Sequence, residues 1–432
     1  MRTLTKKEIY EYIIRDTFML NKIESIVNNI EIAKLKKVQI EFDDVINIIS
    51  QFIISKSLIL YGGLVINLIL PKKLRFYKDY TMNDYDCYSK NPLKDSFELA
   101  KIIENQGYKY IKIKRAIHTG TYKVLVYGKQ IFDISIIDNH TYNTYLKLSN
   151  TEKKTIKYYD SDYNILPLDI IKKNLYYELS RPEQSGHRWE KIYNRMNLLI
   201  KTYPSIKSKK VYKCLPIDKE YSSSVDHLLK YIKKNECPII DSFSLKLYEK
   251  SENCCYRLNI NSTYITIITE NYDKSKSDII EILNNTLNTG NINNYNIICN
   301  HDIKTINNEF PSYTLQILNN ETKKIFNIVR IILIKNECFS INKMKGYTIG
   351  SIDTCLYFLY NDYVINKIFK NDKKTSLDNL YYINQYDNYI KKNIKKNVEK
   401  RLKIKCYGDI NNEEMLKKLW DKKMTIGKIS NI

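Results

Sequence analysis

Apolar residues recur along this chain with two different periods. Up to residue 57 the spacing is mainly three and four, as at Ile23, Ile26, Val27 and Ile30 and again at Val45, Ile46, Ile48 and Ile49, which predicts helix. At residue 58 the pattern changes. "LILY" (58–61) reads as a short buried strand, Gly62-Gly63 as a turn, and "LVINLIL" (64–70) as a helix stopped by Pro71. Residues 84–89 read as a strand. "NPLKDSFELAKIIENQGY" (91–108) reads as a helix with Asn91 as its cap, Pro92 at its first position and Gly107 closing it. Three strand-like runs follow, "KYIKIKRAI", "TYKVLVYG" and "KQIFDISII". Residues 165–201 read as helix with a loop from Arg181 to His187. The basic stretch 202–213, which holds Pro204, reads as a domain boundary.

The second half restarts at "PIIDSFSLKLY" (238–248) and continues with a strand, "YITIIT" (264–269). "NNTLNTGNINNYNIICN" (284–300) is Asn-rich and reads as a loop. From residue 347 the pattern is mostly helical. Strand, turn and helix near residue 60 are echoed near residue 240. The order of elements predicts an α/β (α+β) protein with mixed sheets and flanking helices.

At 432 residues the chain is long enough for two or three domains with cores of their own. The net charge of +22 points to an anionic partner, nucleic acid or nucleotide above all. About half of that excess is set aside as a general habit of composition, since Ile, Asn, Lys and Tyr are all over-used. Arginine escapes the habit: there are 10 against 60 lysines, and Arg115, Arg181, Arg188 and Arg195 are candidates for holding phosphate. The 9 cysteines show neither a Cys-x-x-Cys pair nor zinc spacing, which predicts free thiols in a reducing compartment. The charged N-terminus argues against a signal peptide. The apolar stretch 52–70 is interrupted by Lys56, Gly62-Gly63 and Asn67, so it reads as core and not as a membrane span.

Candidate chemistry gathers around the strand at 84–89. Alternate residues of a strand share a face, so Asp84 and Asp86 project side by side. Two adjacent carboxylates repel unless a cation lies between them, and an all-oxygen site of this kind suits Mg2+ or Mn2+. Asp133, set in the apolar run "QIFDISII", supplies the third carboxylate that a two-ion site needs. Gly62-Gly63 then gains a purpose, since a turn without side chains lets backbone N–H groups and a helix start approach a triphosphate. Each part alone is weak, because an Asp-x-Asp is usually a solvated strand face and a Gly-Gly pair usually a plain turn. Their order and strand placement are more specific.

In that order the chain resembles the nucleotidyltransferase superfamily of DNA polymerase β type. More narrowly, it is similar to the poly(A) polymerases of large cytoplasmic DNA viruses, especially those of the mimivirus group. The matching text is "LILYGGLVINLILP", "DYDCYSKNPLKDSFELAKIIENQGY", "RAIHTGTYKVLV" and "ILPLDIIKKNLYYELSRPEQSGHRWEKIYNRMNLL", with "IGSIDTCLYFLY" and "RLKIKCYG" further on. The resemblance implies two tandem nucleotidyltransferase-like domains, the first active and the second degenerate. The expected division is a helical segment 1–57, a catalytic domain with helical extension 58–201, a linker 202–213 and a degenerate domain 214–432. In the second half Ser242-Phe243-Ser244 stands where the Gly pair would be, Tyr264-Ile265-Thr266 where the Asp-x-Asp would be, and Asn327 where the third acid would be. Gly63 takes the place of a serine that many members of the superfamily carry.

The activity so implied is template-independent addition of AMP from ATP to RNA 3′ ends, with pyrophosphate released. Asp84, Asp86 and Asp133 would hold two ions, Mg2+ or Mn2+, and Gly62 and Gly63 would seat the triphosphate. Arg115 is a nucleotide-binding candidate, as are Arg188, Lys191 and Arg195, whose spacing predicts one shared helix face. Lys123 is read either as a contact for triphosphate or RNA backbone or as part of a solvated hairpin edge, His118 as a polar surface or satisfied histidine and not a general base, Trp189 as core, and the basic run 391–405 as a solvated face that could extend an RNA path. The expected partners are ATP and an RNA 3′ end, with self-association into a homodimer and no membrane. The expected location is the cytoplasmic viral factory, with packaging in the virion. Two other readings stand beside this one: a nucleotidyltransferase with a tRNA, protein or small-molecule acceptor, and a non-catalytic RNA-binding subunit.

Overall fold

The computed structural model describes residues 43–77, 84–116, 120–151, 155–158, 161–204, 222–249, 265–287, 295–302, 310–369, 373–394, 401–410 and 425–428. Segment 1–42, His118, most of the expected linker 202–213, Tyr264 and the stretch 395–400 of the basic run lie outside these. In chain order the helices are α1 (43–55), α2 (Gly62–Ile69), α3 (Pro92–Asn105), α4 (Asn139–Thr151), α5 (Leu168–Leu179), α6 (Pro182–Ser185), α7 (Trp189–Thr202), α8 (Ser222–Lys234), α9 (Ser242–Glu249), α10 (Tyr272–Leu287), α11 (Ile352–Phe369) and α12 (Lys373–Tyr389). The strands are β1 (Ile59–Tyr61), β2 (Tyr85–Ser89), β3 (Lys112–Arg115), β4 (Thr121–Val126), β5 (Lys129–Ile136), β6 (Thr155–Tyr158), β7 (Ser161–Ile165), β8 (Ile265–Thr269), β9 (Tyr295–Asp302), β10 (Ser312–Asn319), β11 (Ile325–Leu333), β12 (Phe339–Met344), β13 (Tyr347–Gly350), β14 (Cys406–Tyr407) and β15 (Thr425–Lys428). Among the described residues no helix is long and apolar enough to cross a membrane.

The chain divides into two compact units. The first comprises Met1–Ile136, Thr155–Ile165 and Asp421–Ile432, and the second Ile137–Lys154 and Leu166–Trp420. Helices α5 and α7, read from the sequence as an extension of the first domain, belong to the second unit.

The first unit is built on a sheet ordered β15-β3-β4-β5-β2-β1-β7-β6. β2 runs parallel to β5, and β1 parallel to β7; the remaining pairs are antiparallel. Burial along β2 alternates, with Tyr85, Cys87 and Ser89 buried and Asp86 and Tyr88 half-buried. One face therefore joins the core with Val45, Phe52, Leu64, Leu99, Ile103, Val124 and Phe132, and Phe52 meets Phe132 edge-on at 6.4 Å. The other face is free for polar chemistry. Pro92 opens α3 as the sequence predicts, but the Asn91 side chain makes no cap bond. Instead the Ser89 hydroxyl accepts the Asn91 N–H (2.9 Å) and donates to the Asp95 carboxylate.

The second unit repeats this order. Strands run β9-β10-β11-β8, and a second sheet runs β13-β12-β14. Ile239 bridges them, antiparallel to Ile267 of β8 and parallel to Ile349 of β13. The relations match those of the first unit, with Ile239 in the place of β1, β8 and β11 in those of β2 and β5, β10 and β9 in those of β4 and β3, and β13 and β12 in those of β7 and β6. Helix α9 follows Ile239 as α2 follows β1.

Three readings are corrected here. The Asn-rich stretch 284–300 is not a loop throughout: α10 runs to Leu287 because Ile279 and Leu283, one turn apart, are buried, and β9 pairs with β10 from Tyr295 onward. Cys338 and Cys406 form a disulfide where free thiols were expected; 68 residues apart in sequence, they have Cα atoms 5.4 Å apart. Within the basic run, Arg401 is not solvated but fully buried on Asp353 of α11, with contacts of 2.7 and 3.0 Å.

Candidate active site

Strand alternation and register bring the three carboxylates together. Asp86 on β2 lies directly beside Asp133 on β5 in the parallel ladder. Asp84 stands one residue before β2 and two before Asp86, so it points to the same side. One oxygen from each carboxylate lies within 4.8 Å of the others.

Helix α2 starts against this cluster. Gly62 has φ +76°, a region that favours glycine, and a Cβ there would fall 2.0 Å from Asp86 Oδ2. The Gly63 N–H donates to the Asp86 carboxylate. Tyr61, the residue before α2, caps it with no side-chain bond and the first turn holds no acidic residue, so beyond the Gly63 N–H that Asp86 takes, this turn can offer N–H groups to an anion.

The electrostatics are those of an uncompensated cluster. Burial, then the Asp84 and Asp133 charges, push the Asp86 carboxyl up to about 7. Burial pushes Asp133 up to about 6, against the pull of the Lys123 ammonium. Asp133 Oδ1 is buried without a hydrogen-bond partner. A cluster of hard oxygen donors with an orphaned inward oxygen fits a divalent cation such as Mg2+ or Mn2+ and lacks the nitrogen and sulfur ligands that favour zinc.

Lys123, read from the sequence as a phosphate contact or a solvated hairpin edge, lies beside Asp133 in the β4–β5 ladder and binds its Oδ2 at 2.8 Å. Its Nζ also donates to Gln130 Oε1 (2.8 Å), and Gln130 Nε2 donates to Asp84 Oδ2 (3.0 Å). The sequence reading missed Gln130. On the same face the Tyr61 hydroxyl meets Ser135 at 2.7 Å, and the Tyr61 and Tyr88 rings stack 4.1 Å apart.

The other candidates are dispersed. Arg115 ends β3 and is exposed. Arg188, Lys191 and Arg195 belong to the second unit, and their side chains do not share one solvent face. Lys191 is exposed, Arg188 pairs with Glu178 at 3.3 Å, and Arg195 is 8% exposed because its helix turns it inward with Ile192 and Met196. Trp189 is half-buried and donates to the Glu178 carbonyl. Arg181 is a structural anchor: it binds Glu337 at 3.1 Å and Glu178 at 3.4 Å and lies 3.5 Å from the Tyr177 ring centroid.

Among the described residues, the corresponding place in the second unit holds no carboxylate cluster. Continuing the Ile239–Ile267 pairing sets Asp241 opposite Ile265, and Ile265 lies beside Val329 on β11. Val329, and not Asn327, therefore occupies the position of Asp133; Asn327 sits two residues earlier and bonds Gln316. The start of α9 is closed by its own chain. Asp241 accepts the Phe243 N–H (2.8 Å) and the Thr266 N–H (2.5 Å), so this helix is capped by the residue just before it, whereas in α2 the matching N–H, that of Gly63, is taken by Asp86 of β2.

Fold and site together define an α/β protein with a three-carboxylate centre, suited to divalent cations, beside a helix start. Residues 47–184 match the family model described as "Poly(A) polymerase catalytic subunit". Over 168 residues the chain is 31% identical to a poly(A) polymerase catalytic subunit of African swine fever virus, covering 38% of this chain and 34% of that protein. Over 214 residues it is 26% identical to one of Acanthamoeba polyphaga mimivirus, covering 47% of this chain and 35% of that protein. The matched part spans about a third of the length of these curated relatives. The fold is that of the crystal structure of the Megavirus polyadenylate synthase: TM-score 0.72 at 19% identity, over 100% of this chain and 87% of that one.

Proposed function

We propose that the chain is a template-independent poly(A) polymerase, in which an RNA 3′-hydroxyl attacks the α-phosphorus of ATP and the α–β bridge breaks to release pyrophosphate. The observation that carries this reading is the meeting of Asp84, Asp86 and Asp133 at the start of α2. The three carboxylates would hold two Mg2+ or Mn2+ ions. When bound, such ions supply Lewis acidity at the attacking hydroxyl and charge neutralisation at the leaving pyrophosphate.

The chain's own residues do the rest. Gly62 leaves room for Asp86 against the helix, and the N–H groups of the first turn of α2 other than that of Gly63 receive phosphate oxygens. Arg115 is a phosphate contact of the first unit in this account; in the second unit Lys191 and Arg188 are contacts for RNA phosphates, and buried Arg195 supports its helix. The second unit is a degenerate repeat: Asp241 fills the helix start where phosphate would bind, and Ile265 and Val329 replace two of the acids. The surplus charge holds RNA by its phosphates. Self-association into a homodimer would keep RNA bound through successive additions. The cytoplasmic viral factory remains the proposed site of action, and packaging in the particle offers a setting in which Cys338–Cys406 stays oxidised.

The reading is tested by Asp84→Ala and Asp86→Ala. Both should abolish tailing while RNA affinity is retained; tailing that survives would remove these residues from the reaction.

A further inference from the structure

Lys123 and Gln130 take no part in the chemistry above, yet they join the two outer carboxylates into one chain of hydrogen bonds. It runs from Asp133 Oδ2 to Lys123 Nζ (2.8 Å), from Nζ to Gln130 Oε1 (2.8 Å), and from Gln130 Nε2 to Asp84 Oδ2 (3.0 Å). We propose that Lys123 and Gln130 are positioning residues that fix which single oxygen of Asp84 and of Asp133 faces a divalent cation, and so set the site's preference for a small ion over a large one. The proposal rests on the reading of the three carboxylates as a metal centre.

The fold builds this relay deliberately. The β4–β5 ladder pairs Lys123 with Asp133 and Val124 with Phe132, then jumps to Leu125 with Gln130. Ile131 is the extra residue of a β-bulge. Without it, alternation would put Gln130 on the face opposite Asp133; the bulge returns it to the carboxylate face. The ammonium has only protons to give, so it selects the amide oxygen of Gln130 and turns the amide NH2 toward Asp84. Each outer carboxylate has Oδ2 tied. Asp133 Oδ1 is left buried and without a partner.

A carboxylate with one oxygen tied serves as a one-oxygen ligand. Mg2+ and Mn2+ are satisfied by such ligands in near-octahedral geometry, whereas Ca2+ accepts more oxygens and often takes both from one carboxylate. Freeing Asp84 or Asp133 to swing would therefore favour Ca2+. A different role for Lys123, as a plain counter-charge, would change the affinity of every divalent ion by the same factor. Gln130 is neutral, so Gln130→Ala separates the two.

The experiment measures Mn2+ and Ca2+ dissociation constants by calorimetry on the full chain, for wild type, Gln130→Ala, Lys123→Met and Asp133→Ala. Metal-free melting curves confirm folding, and kcat and KM for ATP are measured at saturating Mn2+. The expected result is a Mn2+-over-Ca2+ preference about 10-fold smaller in Gln130→Ala and Lys123→Met, with kcat lowered and KM little changed. An unchanged ratio in Gln130→Ala, or equal shifts for both ions, overturns the proposal. Should Lys123→Met fail to fold, Gln130→Ala, which removes a half-buried neutral side chain, decides alone. Mn2+ binding that survives Asp133→Ala undamaged would instead count against the metal centre itself, an outcome separate from loss of selectivity.

Discussion

Gly62 is the residue at which one carbon atom decides the site. It combines φ +76° with a Cβ position 2.0 Å from Asp86 Oδ2, so alanine there must displace either the helix start or the carboxylate. Gly62→Ala is expected to lower the rate of RNA extension about 100-fold, as a displacement of about 1 Å at a reacting centre does. The stability cost should be only about 1–2 kcal/mol. Extension kinetics and denaturant melts measured together check this, and an active alanine variant would show that Asp86 need not lie against α2.

The raised carboxyls of Asp86 (about 7) and Asp133 (about 6) give the site a definite pH dependence. A cation needs both charged, so Mn2+ affinity should fall as pH drops from 7 to 6, with proton release on binding visible as a buffer-dependent calorimetric heat. The effect on stability has the opposite sense. Both groups hold protons more tightly folded than unfolded, where a carboxyl titrates near about 3.9. Their contribution is therefore present below about pH 4 and lost as pH rises through 6 and 7. Asp86→Asn should flatten that loss in metal-free melts, and an equally steep decline in the variant would contradict the assignment.

At the scale of elements, what was legible followed strict periodicity. Strand β1, α2, β2 and β3–β5 are read directly because their apolar residues keep a period of two or of three to four, although Gly62 and Gly63, read as a turn, are the first two residues of α2. Asp84 and Asp86 share a face for the same reason. What stayed hidden depends on breaks in period or on distant partners. Gln130 reaches the site only because the bulge at Ile131 reverses its parity. Arg195 matches a basic face by spacing, but its helix packs that side inward. Cys338 and Cys406 are joined by the fold with no spacing signal. Arg401 sits in a run of lysines, and only the structure supplies Asp353. Because this pair is fully buried, Asp353→Asn should cost about 3–5 kcal/mol, whereas the double change Asp353→Leu/Arg401→Met should cost much less. Equal losses for the single and double variants in urea melts would show that the two do not act as a pair.

At the scale of the whole molecule, one strand order occurs twice, and among the described residues the three-carboxylate cluster stands in the first copy alone. In the first unit the acids of β2 and β5 meet the start of α2; in the second, Asp241 caps α9 from the residue before it, and Ile265 and Val329 stand where two of the acids would be. The repeat was visible in sequence only as a faint echo, because the residues that would mark it, Gly-Gly and Asp-x-Asp, are the ones the second copy lacks. The net charge of +22 belongs to this scale too, since phosphate binding draws on the summed field of the chain more than on any one lysine. The most direct measurement incubates the purified chain with a labelled RNA ending in oligoadenylate, Mg2+ or Mn2+, and each nucleoside triphosphate separately. A ladder from ATP, absent with chelator and with the Asp84→Ala/Asp86→Ala double variant, is the predicted result. No extension by the wild-type chain, with tight and salt-sensitive RNA binding, would contradict the account and leave an RNA-binding protein whose three acids do no chemistry.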